Sequence, residues 1–434
     1  METPLDRIAA NVAHHAGVIC DYQAQSQQKI GIGLFPANTP ESINRARQGL
    51  LQASAELQQI CSEPGEYLEQ TQIYYKRLMC SFPRQYQRLS ALQWLIHFNV
   101  LQHVPLDPST SITYTYVAAV ANVPLGRLRN VARMAMTGGI LTEPRAEHIA
   151  HTRISAHFVT QPVFNDWVLF MTQYSVPTTL CFSQATEQWG DTTATHQTAY
   201  NLAFKTTLPF FAHIEQSQHS TEQFARYMRA YVQNPGLAIE HLLTGFDWEG
   251  LGSAHIVDVG GSTGQVDIML ATHFPRLTFT VQDRQSTIAG ADIILQSLTP
   301  SVASRISFNA HDFWKPQRPE IASSADVYLL RRLLHDWPSA KARVILQNLV
   351  DAMRPGGRIV VVDIVLPPPG TVSPLQEASL RVFDLAMAQT FNSSERARSD
   401  WIELFASTTP ALRLRCELQP FGSLLTVMEV VRDE

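Results

Sequence analysis

The stretch HIVDVGGSTG at residues 255–264 decides the fold of this chain. It begins with a short apolar segment, His255 to Val259, and continues through a turn rich in glycine. A helical pattern of apolar residues begins near Val266. A strand, a glycine turn and a helix in this order are typical of the start of a nucleotide-binding domain built on a parallel sheet.

A second strand is predicted from Leu277 to Val281, and it ends in Gln282 and Asp283. Asp283 lies about 20 residues beyond the glycines, the distance at which an acid conventionally reaches the hydroxyl groups of a ribose. We therefore predict that Asp283 binds the ribose of a cofactor.

The glycines themselves indicate which cofactor to expect. The spacing of Gly260, Gly261 and Gly264 differs from GxGxxG, the arrangement that lets a backbone approach a pyrophosphate, and an acid, Asp258, stands just before them. This combination suits a cofactor without phosphate. S-adenosylmethionine carries a ribose, an adenine, an ammonium group and a carboxylate, so we predict it in preference to NAD and expect Asp258 and the glycines to lie beside it.

Strands and helices alternate through the rest of the C-terminal half, which predicts an α/β fold with a Rossmann-like sheet. The predicted strands are 306–311, 326–334 and 358–363, and a helix is predicted at 339–353. Ligands of such sheets bind at the carboxyl ends of the strands. His335 and Asp363 end two of these strands, so we expect them on the same rim as the cofactor.

The N-terminal region follows a different pattern. Apolar residues recur at helical spacing from Thr3 to about Val104, and two short helix patterns follow, one at 116–123 and one that Pro124 opens. Alternating residues from Ile140 to Val159 predict a two-stranded hairpin. Helix, turn, helix and hairpin in this order predict a winged helix.

A winged helix is compatible with two uses. Arg127, Arg129 and Arg133 lie along its second helix and would face DNA if DNA were the partner. Three arginines on one helix are more often a solvated face, and a net charge of −5 gives no electrostatic footprint for nucleic acid. We favour dimerisation, and predict a homodimer that binds a small molecule and no nucleic acid.

Three domains are predicted. They are a helical and winged-helix dimerisation domain (1–160), a helical linker that contributes to the substrate pocket (161–250), and the Rossmann-like catalytic domain (251–434). The linker is rich in aromatic residues, most of which we expect to fill a core, although some could line a pocket for an aromatic substrate.

The bulk composition restricts the cellular setting. The chain has 434 residues, of which 45% are hydrophobic, and contains no uninterrupted apolar stretch of the roughly 18 residues that a membrane span requires. Its five cysteines form no CxxC pair, so neither a disulfide framework nor a metal site is predicted. No secretory leader is recognisable. We therefore expect a cytoplasmic protein without membrane partners.

The motifs VDVGGSTG, VQD, HDF, LLRRLLHDW, RPGG and SSER occur in this order. Together they resemble the plant-type (caffeate-type) O-methyltransferases and their fungal natural-product relatives. The resemblance is clearest from Ile256 to Trp401, and the helical arm and winged helix are similar to the dimerisation domain of that family. It implies an enzyme that transfers the methyl group of S-adenosylmethionine to an oxygen of a small organic molecule.

The resemblance also implies roles for single residues. His335 corresponds to the catalytic base, Glu395 to the glutamate that orients it, and Asp363 to a second such acid, which in the family is usually a glutamate. The residues that correspond to cofactor neighbours are Gly260, Asp283, Asp312, Phe313 and Arg331, the last of which replaces a lysine of the plant members.

Less specific interpretations accompany these assignments. A histidine before a helix is often a cap or a satisfied polar residue, and Glu395 lies in a polar segment where a solvent-facing glutamate would be ordinary. Asp336 is predicted to be structural and to help open the following helix.

An alternative function is also open: some fungal members of the family keep the cofactor but catalyse dehydrations or pericyclic ring closures without methyl transfer. The intact HDW and SSER motifs favour methyl transfer, whereas the shorter acid at Asp363 and the cation at Arg331 leave the alternative open.

Overall fold

The structure, a computed structural model, describes residues 3–26, 40–61, 82–107, 109–231 and 234–433. These residues form two compact units. The first contains the described residues up to 61 together with Val100–His157, and the second contains residues 82–99 and everything described from Phe158 onward. The second unit therefore includes both the predicted linker, 161–250, and the predicted catalytic domain, 251–434.

The helices are α1 (Pro4–Ser26), α2 (Glu41–Cys61), α3 (Phe82–His97), α4 (Tyr114–Val120), α5 (Leu125–Met136), α6 (Arg153–Thr160), α7 (Val163–Phe170), α8 (Val176–Leu180), α9 (Phe182–Trp189), α10 (Ala199–Phe204), α11 (Phe210–Ile214), α12 (Gln218–Tyr231), α13 (Leu242–Gly245), α14 (Gln265–His273), α15 (Gln285–Ile288), α16 (Ala291–Gln296), α17 (Pro300–Ala303), α18 (Pro319–Ser324), α19 (Ser339–Ala352), α20 (Pro374–Phe391) and α21 (Arg398–Ala406). The strands are β1 (Ile112–Thr113), β2 (Thr142–Arg145), β3 (His148–Ala150), β4 (His255–Val259), β5 (Thr278–Asp283), β6 (Ile306–Ala310), β7 (Val327–Arg331), β8 (Arg358–Asp363), β9 (Val365–Leu366), β10 (Arg396–Ala397), β11 (Leu412–Leu418) and β12 (Thr426–Arg432).

The predicted run of helices at the N-terminus is confirmed by α1, α2 and α3, while residues 27–39 and 62–81 lie outside the described ranges. The first unit continues with α4, α5 and the hairpin β2–β3, the order expected of a winged helix, and β1 pairs with β3 as a third strand. Helix α4 begins two residues earlier than predicted because the hydroxyl oxygen of Thr113 accepts the N–H of Tyr116 and so caps the helix.

The predicted hairpin is wrong at its far end. Strand β3 stops at Ala150, and residues 153–160 form α6 instead of continuing the strand. The hydroxyl oxygen of Thr152 accepts the N–H of Ser155, which favours a helix start, and Ile154 and Phe158, four residues apart, are both buried. Helical spacing of the apolar residues therefore prevails over their approximate alternation.

Two of the three arginines on the second helix of the winged helix, α5, form ion pairs within the first unit. Arg129 pairs with Glu147 of the hairpin turn at 2.5 Å, and Arg133 pairs with Glu143 of β2 at 2.9 Å. Two of the three cations that suggested DNA binding thus meet carboxylates of their own wing, which reduces the positive charge they could present to a phosphate backbone.

The second unit is built on a sheet of seven strands in the order β11-β12-β8-β7-β4-β5-β6. Strands β8, β7, β4, β5 and β6 are parallel, and β12 and β11 add antiparallel pairs at one side. The chain proceeds from β4 to β5 and β6 on one side and then returns to β7 on the other. The order therefore reverses beside β4, and open α/β sheets bind their ligands at such a reversal.

Both faces of this sheet are buried, as expected for parallel strands covered by helices. Successive side chains of a strand point to opposite faces. Accordingly Ile256 belongs to one core cluster and Val257 to the other, and Val360 and Val361 of β8 divide in the same way. Of the helices that the structure describes, none is long and apolar enough to cross a membrane.

Candidate active site

The glycine turn after β4 holds a shape that few other residues would permit. Gly260 and Gly264 have φ values of +76° and +72°, in the left-handed region that favours glycine. The N–H groups of Gly260 and Gly261 both donate to the carbonyl of Gln282, which ties the turn to β5. A Cβ on Gly261 would lie 2.6 Å from Oδ2 of Asp258. The turn therefore presents bare backbone at the carboxyl end of the central strand.

Asp283 lies at the end of β5, beside this turn. One of its carboxylate oxygens accepts the N–H of Ser262 at 2.9 Å, and the other accepts the N–H of Arg284 at 2.7 Å. The carboxylate is thereby fixed in place next to the glycines, and because each carboxylate oxygen has two lone pairs it can still accept from the two hydroxyls of a ribose.

Beneath the turn lies a pair of buried acids, Asp258 at the end of β4 and Asp267 in the first turn of α14. Burial, reinforced by the nearby charge of Asp267, raises the pKa of Asp258 well above its ordinary value, and burial raises the pKa of Asp267 to about 6. Among the described residues, Oδ1 of Asp258 has no hydrogen-bond partner.

Arg331 ends β7 on the same rim. Its Nη2 donates to the carbonyl of Leu237 at 2.6 Å, and its Nε has no hydrogen-bond partner among the described residues. Burial and the adjacent Arg332 lower the pKa of Arg331 to about 10. The unpartnered buried atoms of Asp258 and Arg331, the bare glycine backbone and the fixed carboxylate of Asp283 together fit a cofactor with a ribose and polar end groups.

Asp312 and Phe313 follow β6. Asp312 is exposed and accepts the N–H of Trp314 at 3.1 Å, while the ring of Phe313 lies 5.1 Å from that of Trp314 and 6.0 Å from that of Trp337. These three rings contact one another and pack against the core on one face of the sheet.

His335 stands in a short 3₁₀ turn, Leu334–Asp336, that follows β7. Its Nδ1 lies 2.9 Å from Oε1 of Glu395, and both side chains are buried, with exposed fractions of 4% and 2%. An ionised carboxylate only accepts hydrogen bonds, so Nδ1 carries the hydrogen and donates it. The lone pair of the neutral ring is therefore on Nε2.

A local pairing brings Glu395 to this place from 60 residues away. Arg396 pairs in parallel with Val365, so the segment before Arg396 runs beside the end of β8. The N–H of Glu395 donates to Asp384 at 3.1 Å. Arg396, itself buried, donates to the carbonyls of Leu334 and Trp337 at 2.8 and 2.7 Å, and so ties the two flanks of His335 to the same segment.

Asp363 ends β8 and completes the group. Its Oδ1 accepts the N–H of Ile364 at 3.1 Å, and ligand atoms of His335, Asp363 and Glu395 all lie within 4.8 Å of one another. The shorter side chain thus comes close to the histidine, although the hydrogen bond to Nδ1 belongs to Glu395. Such a trio could hold a metal ion, but the guanidinium of Arg332 lies 3.0 Å from Glu395 and already supplies a positive charge.

Asp336 does not have the role predicted from the sequence. Helix α19 begins after Pro338 and has no side-chain cap, so the prediction that Asp336 opens this helix is wrong. Its Oδ1 lies instead 3.5 Å from Nε2 of His335. Burial raises the pKa of Asp336 to about 6, an effect that the charges of His335 and Arg332 oppose.

Burial and several charged groups shift the pKa of His335 in opposite directions. Burial and the charge of Arg332 each lower the pKa of His335, but Glu395, Asp363 and Asp336 outweigh them, so that this pKa lies above its ordinary value. Burial would raise the pKa of Glu395, yet His335 and Arg332 lower it to about 2. Glu395 is therefore ionised, and its charge favours the protonated form of His335.

Aromatic side chains from the predicted linker pack near this site. Together with Phe391 of α20 they form one cluster, whose linker members are Phe170, Tyr174, Tyr200, Phe204, Phe210, Phe211, Phe224 and Tyr227. Phe211 connects it to the rim, since its ring lies 6.2 Å from that of Trp337. Its rings contact one another mostly at tilted or edge-to-face angles, as in a core. That some of them line a substrate pocket stays a prediction.

Sequence reasoning missed Arg332, the contact of Asp336 with the histidine, and Arg396. A signal for Arg332 was present, because two adjacent arginines stand between pairs of leucines in LLRRLL. A charge in such an apolar run is buried only if it is paired.

The chain is similar to known O-methyltransferases in sequence and in fold. A family model described as an O-methyltransferase domain matches residues 187–409. The O-methyltransferase VdtC of Byssochlamys spectabilis is 41% identical over 441 residues, which cover 99% of this chain and 98% of VdtC. The O-methyltransferase fsr2 of Gibberella fujikuroi is 43% identical over 351 residues, which cover 81% of this chain and 90% of fsr2. The structure of OxaC in complex with sinefungin and meleagrin shares the fold, with a TM-score of 0.71 at 21% identity over 98% of this chain and 99% of OxaC.

Proposed function

The chain belongs to the family of S-adenosylmethionine-dependent O-methyltransferases, and from that premise we propose that His335 is the general base of the reaction. The observation that carries this proposal is the buried hydrogen bond of 2.9 Å between its Nδ1 and Glu395. This bond fixes the ring and its tautomer and leaves Nε2 to accept a proton.

The proposed reaction requires little other chemistry from the protein. S-adenosylmethionine supplies a methyl group made electrophilic by its sulfonium. His335 removes the proton of the acceptor hydroxyl as the new bond forms, because a phenol with a pKa near 10 is not ionised beforehand by a histidine whose reference pKa is near 6.5. Glu395 stabilises the imidazolium that develops, and a base so placed contributes roughly 10²–10⁴-fold. We assign to Asp363 a smaller part in stabilising the imidazolium, because a carboxylate oxygen of Asp363 lies within 4.8 Å of a ring nitrogen of His335.

We assign the cofactor to the rim around the glycine turn. Asp283 would hold its ribose, the backbone at Gly260, Gly261 and Gly264 would allow its close approach, and Asp312 and Phe313 would flank its adenine. Asp258 and Arg331, whose unpartnered atoms lie on the same rim, would meet its polar end groups.

The acceptor in this proposal is a phenol or enol of a small secondary metabolite. The aromatic cluster that reaches Trp337 through Phe211 supports a planar, apolar ring as the body of that acceptor. We further propose that the protein acts as a cytoplasmic homodimer in which the first unit supplies the dimer contacts.

The test uses S-adenosylmethionine with a labelled methyl group and a panel of phenolic and enolic precursors, analysed by mass spectrometry. Wild type is compared with His335→Ala and with the matched variant His273→Ala, which removes an exposed histidine at the end of α14. We expect label in the product of wild type and of His273→Ala, and a loss of about 10²–10⁴-fold in His335→Ala with unchanged cofactor affinity.

Two results would contradict the proposal in different ways. Full activity of His335→Ala would remove the histidine from the mechanism but keep methyl transfer. Consumption of substrate without gain of the label, with the cofactor required but intact, would replace methyl transfer by the dehydration or ring-closure chemistry that the sequence left open.

A further inference from the structure

Arg332 has a backbone conformation that is unusual for its residue type. It directly follows β7, and its φ of +53° lies in the left-handed region that long side chains seldom adopt. Its N–H donates to the carbonyl of Val362 on β8 at 3.0 Å. Strain of this kind persists where the surrounding structure fixes the residue, and it clusters at functional sites.

The side chain of Arg332 is buried, with an exposed fraction of 12%, and each end of its guanidinium has a defined partner. Nη1 lies 3.0 Å from Oε1 of Glu395, the same oxygen that accepts from His335, and 3.7 Å from Oδ1 of Asp363. Nη2 donates to the hydroxyl of Tyr231 at 3.2 Å.

Two aromatic rings complete the enclosure of this cation. The guanidinium carbon lies 5.9 Å from the ring centre of Tyr231 and 5.7 Å from that of Phe383. Aromatic faces stabilise a cation that has left water. Burial disfavours the charged form, but Tyr231, Glu395, Asp363 and Asp336 together raise the pKa of Arg332, which therefore stays charged.

The charges around His335 show why a cation is needed here. Three carboxyl groups face the ring, those of Glu395, Asp363 and Asp336, and Arg332 is the cation that faces it with them. Arg396, which is also buried in this region, directs its guanidinium to backbone carbonyls. Carboxylates near a histidine favour its protonated form, and a protonated ring cannot accept the proton of a substrate.

We propose that Arg332 is a positioning residue for the base: it holds the carboxylate of Glu395 against Nδ1 of His335 and offsets the carboxylates that would otherwise keep the ring protonated. The inference rests on the proposed role of His335 as base. Arg332 acts through Glu395 and need not touch the substrate.

The two parts of this role are separated by three variants. Arg332→Lys keeps the charge, Arg332→Gln keeps a hydrogen-bond donor without the charge, and Arg332→Met keeps neither. The matched control is Arg305→Gln, which removes a half-buried arginine that donates to backbone carbonyls of the same unit, among them those of Phe274 and Leu277.

The measurement is the pH dependence of kcat/KM for methyl transfer. Loss of the positive charge raises the pKa of His335, so we expect the acid limb of the profile to move up by about one pH unit in the Gln and Met variants. Below that limb their activity is then about tenfold lower than that of wild type. In Arg332→Lys and in the control Arg305→Gln, we expect the acid limb to lie at the same pH as in wild type.

A second readout does not depend on activity. The ring signals of His335 are assigned in the NMR spectrum by their loss in His335→Ala, and the ring is titrated in wild type, Arg332→Lys and Arg332→Gln. A higher midpoint in the Gln variant supports the proposal even if the protein transfers no methyl group, so failure of the proposed function is distinguished from failure of this inference. An unchanged midpoint and an unchanged acid limb in folded Arg332→Gln, with only kcat reduced, would overturn it and leave Arg332 a purely structural residue.

Discussion

Two groups of buried acids lie on one rim of the sheet, and their charges are balanced in different ways. Asp258 and Asp267 lie under the glycine turn, and Arg331, whose charge acts on Asp258, directs its Nη2 to a backbone carbonyl. Around the histidine, in contrast, the guanidinium of Arg332 lies 3.0 Å from Glu395. The charge of Arg331 lowers the pKa of Asp258 without outweighing the effect of burial, whereas Arg332 forms an ion pair with Glu395.

The difference corresponds to the tasks proposed for the two groups. The pair under the turn has raised pKa values, so it holds at least one proton in the acidic range and does not present a full double charge to the proposed cofactor site. In the second group the pKa of Glu395 is lowered to about 2, because His335 and Arg332 oppose the effect of burial. An ionised carboxylate that orients a buried base requires a counter-charge, whereas a carboxyl group that holds a proton does not.

The largest effect within this comparison is expected from Glu395→Gln, which removes the orienting charge and keeps a side chain of similar shape. We expect kcat to fall roughly 10–100-fold, because the developing imidazolium loses its counter-charge. Since Glu395 raises the pKa of His335, its removal lowers that pKa and moves the acid limb of the pH profile to lower pH. This direction is opposite to that of the Arg332 variants.

The pH profile of kcat is the measurement, with cofactor affinity measured in parallel as the control that should not change. If the acid limb of Glu395→Gln moved to higher pH, as in Arg332→Gln, Glu395 and Arg332 would not shift the pKa of His335 in opposite directions, and the proposed role of Arg332 would be contradicted.

The turn itself is tested by Gly261→Ala. The added Cβ would lie 2.6 Å from Oδ2 of Asp258 and 2.9 Å from Val281, so the turn or the acid beneath it must move. Overpacking of this kind costs about 1–3 kcal/mol, and we expect cofactor affinity to fall by about tenfold. Calorimetric titration with the cofactor measures this effect.

The matched control is Gly126→Ala on α5, where an added Cβ has nothing within 4 Å and alanine favours the helix. Undiminished affinity in Gly261→Ala, together with an unchanged melting temperature, would show that the close approach of backbone at residue 261 is not needed.

Features fixed by local backbone geometry could be predicted from the sequence, whereas contacts between distant residues could not. The glycine turn and the strand ends at Asp283 and Asp363 were predictable because backbone conformation and strand polarity restrict local residue types. The contact of Glu395 with His335 joins residues 60 positions apart, so it was expected only through the family resemblance.

Errors and omissions arose where tertiary contacts decided the outcome. Residues 153–159 alternate well enough to predict a strand, but the buried spacing of Ile154 and Phe158 makes a helix. Asp336 was predicted to start a helix, yet it turns toward Nε2 of His335. For Arg332 a buried charge could be inferred from LLRRLL, but its partners, Glu395 and Tyr231, lie far away in the sequence.

The smallest expected effect concerns the pair of acids under the glycine turn, and it appears in the free energy of unfolding. Burial raises the pKa of Asp267 from 3.8 to about 6. A group whose pKa is raised by folding adds stability that is complete below its unfolded pKa and is lost as pH rises through the folded one. Wild type should therefore lose stability between about pH 4 and pH 6 through this residue, and Asp267→Asn should not.

At pH 8 we expect Asp267→Asn to be more stable than wild type by about 1–2 kcal/mol, and at pH 4 this advantage should vanish or reverse. Urea unfolding at the two pH values measures the difference, and Asp292→Asn, which changes an acid near the start of α16, is the control that should show no such crossover. A gain at pH 8 would show that the acid under the turn is kept at a cost in stability, whereas Glu395, whose pKa is lowered by His335 and Arg332, avoids that cost. Equal stability of Asp267→Asn and wild type at both pH values would mean that the charge of the pair is fully offset, in which case Arg331 supplies the opposite charge.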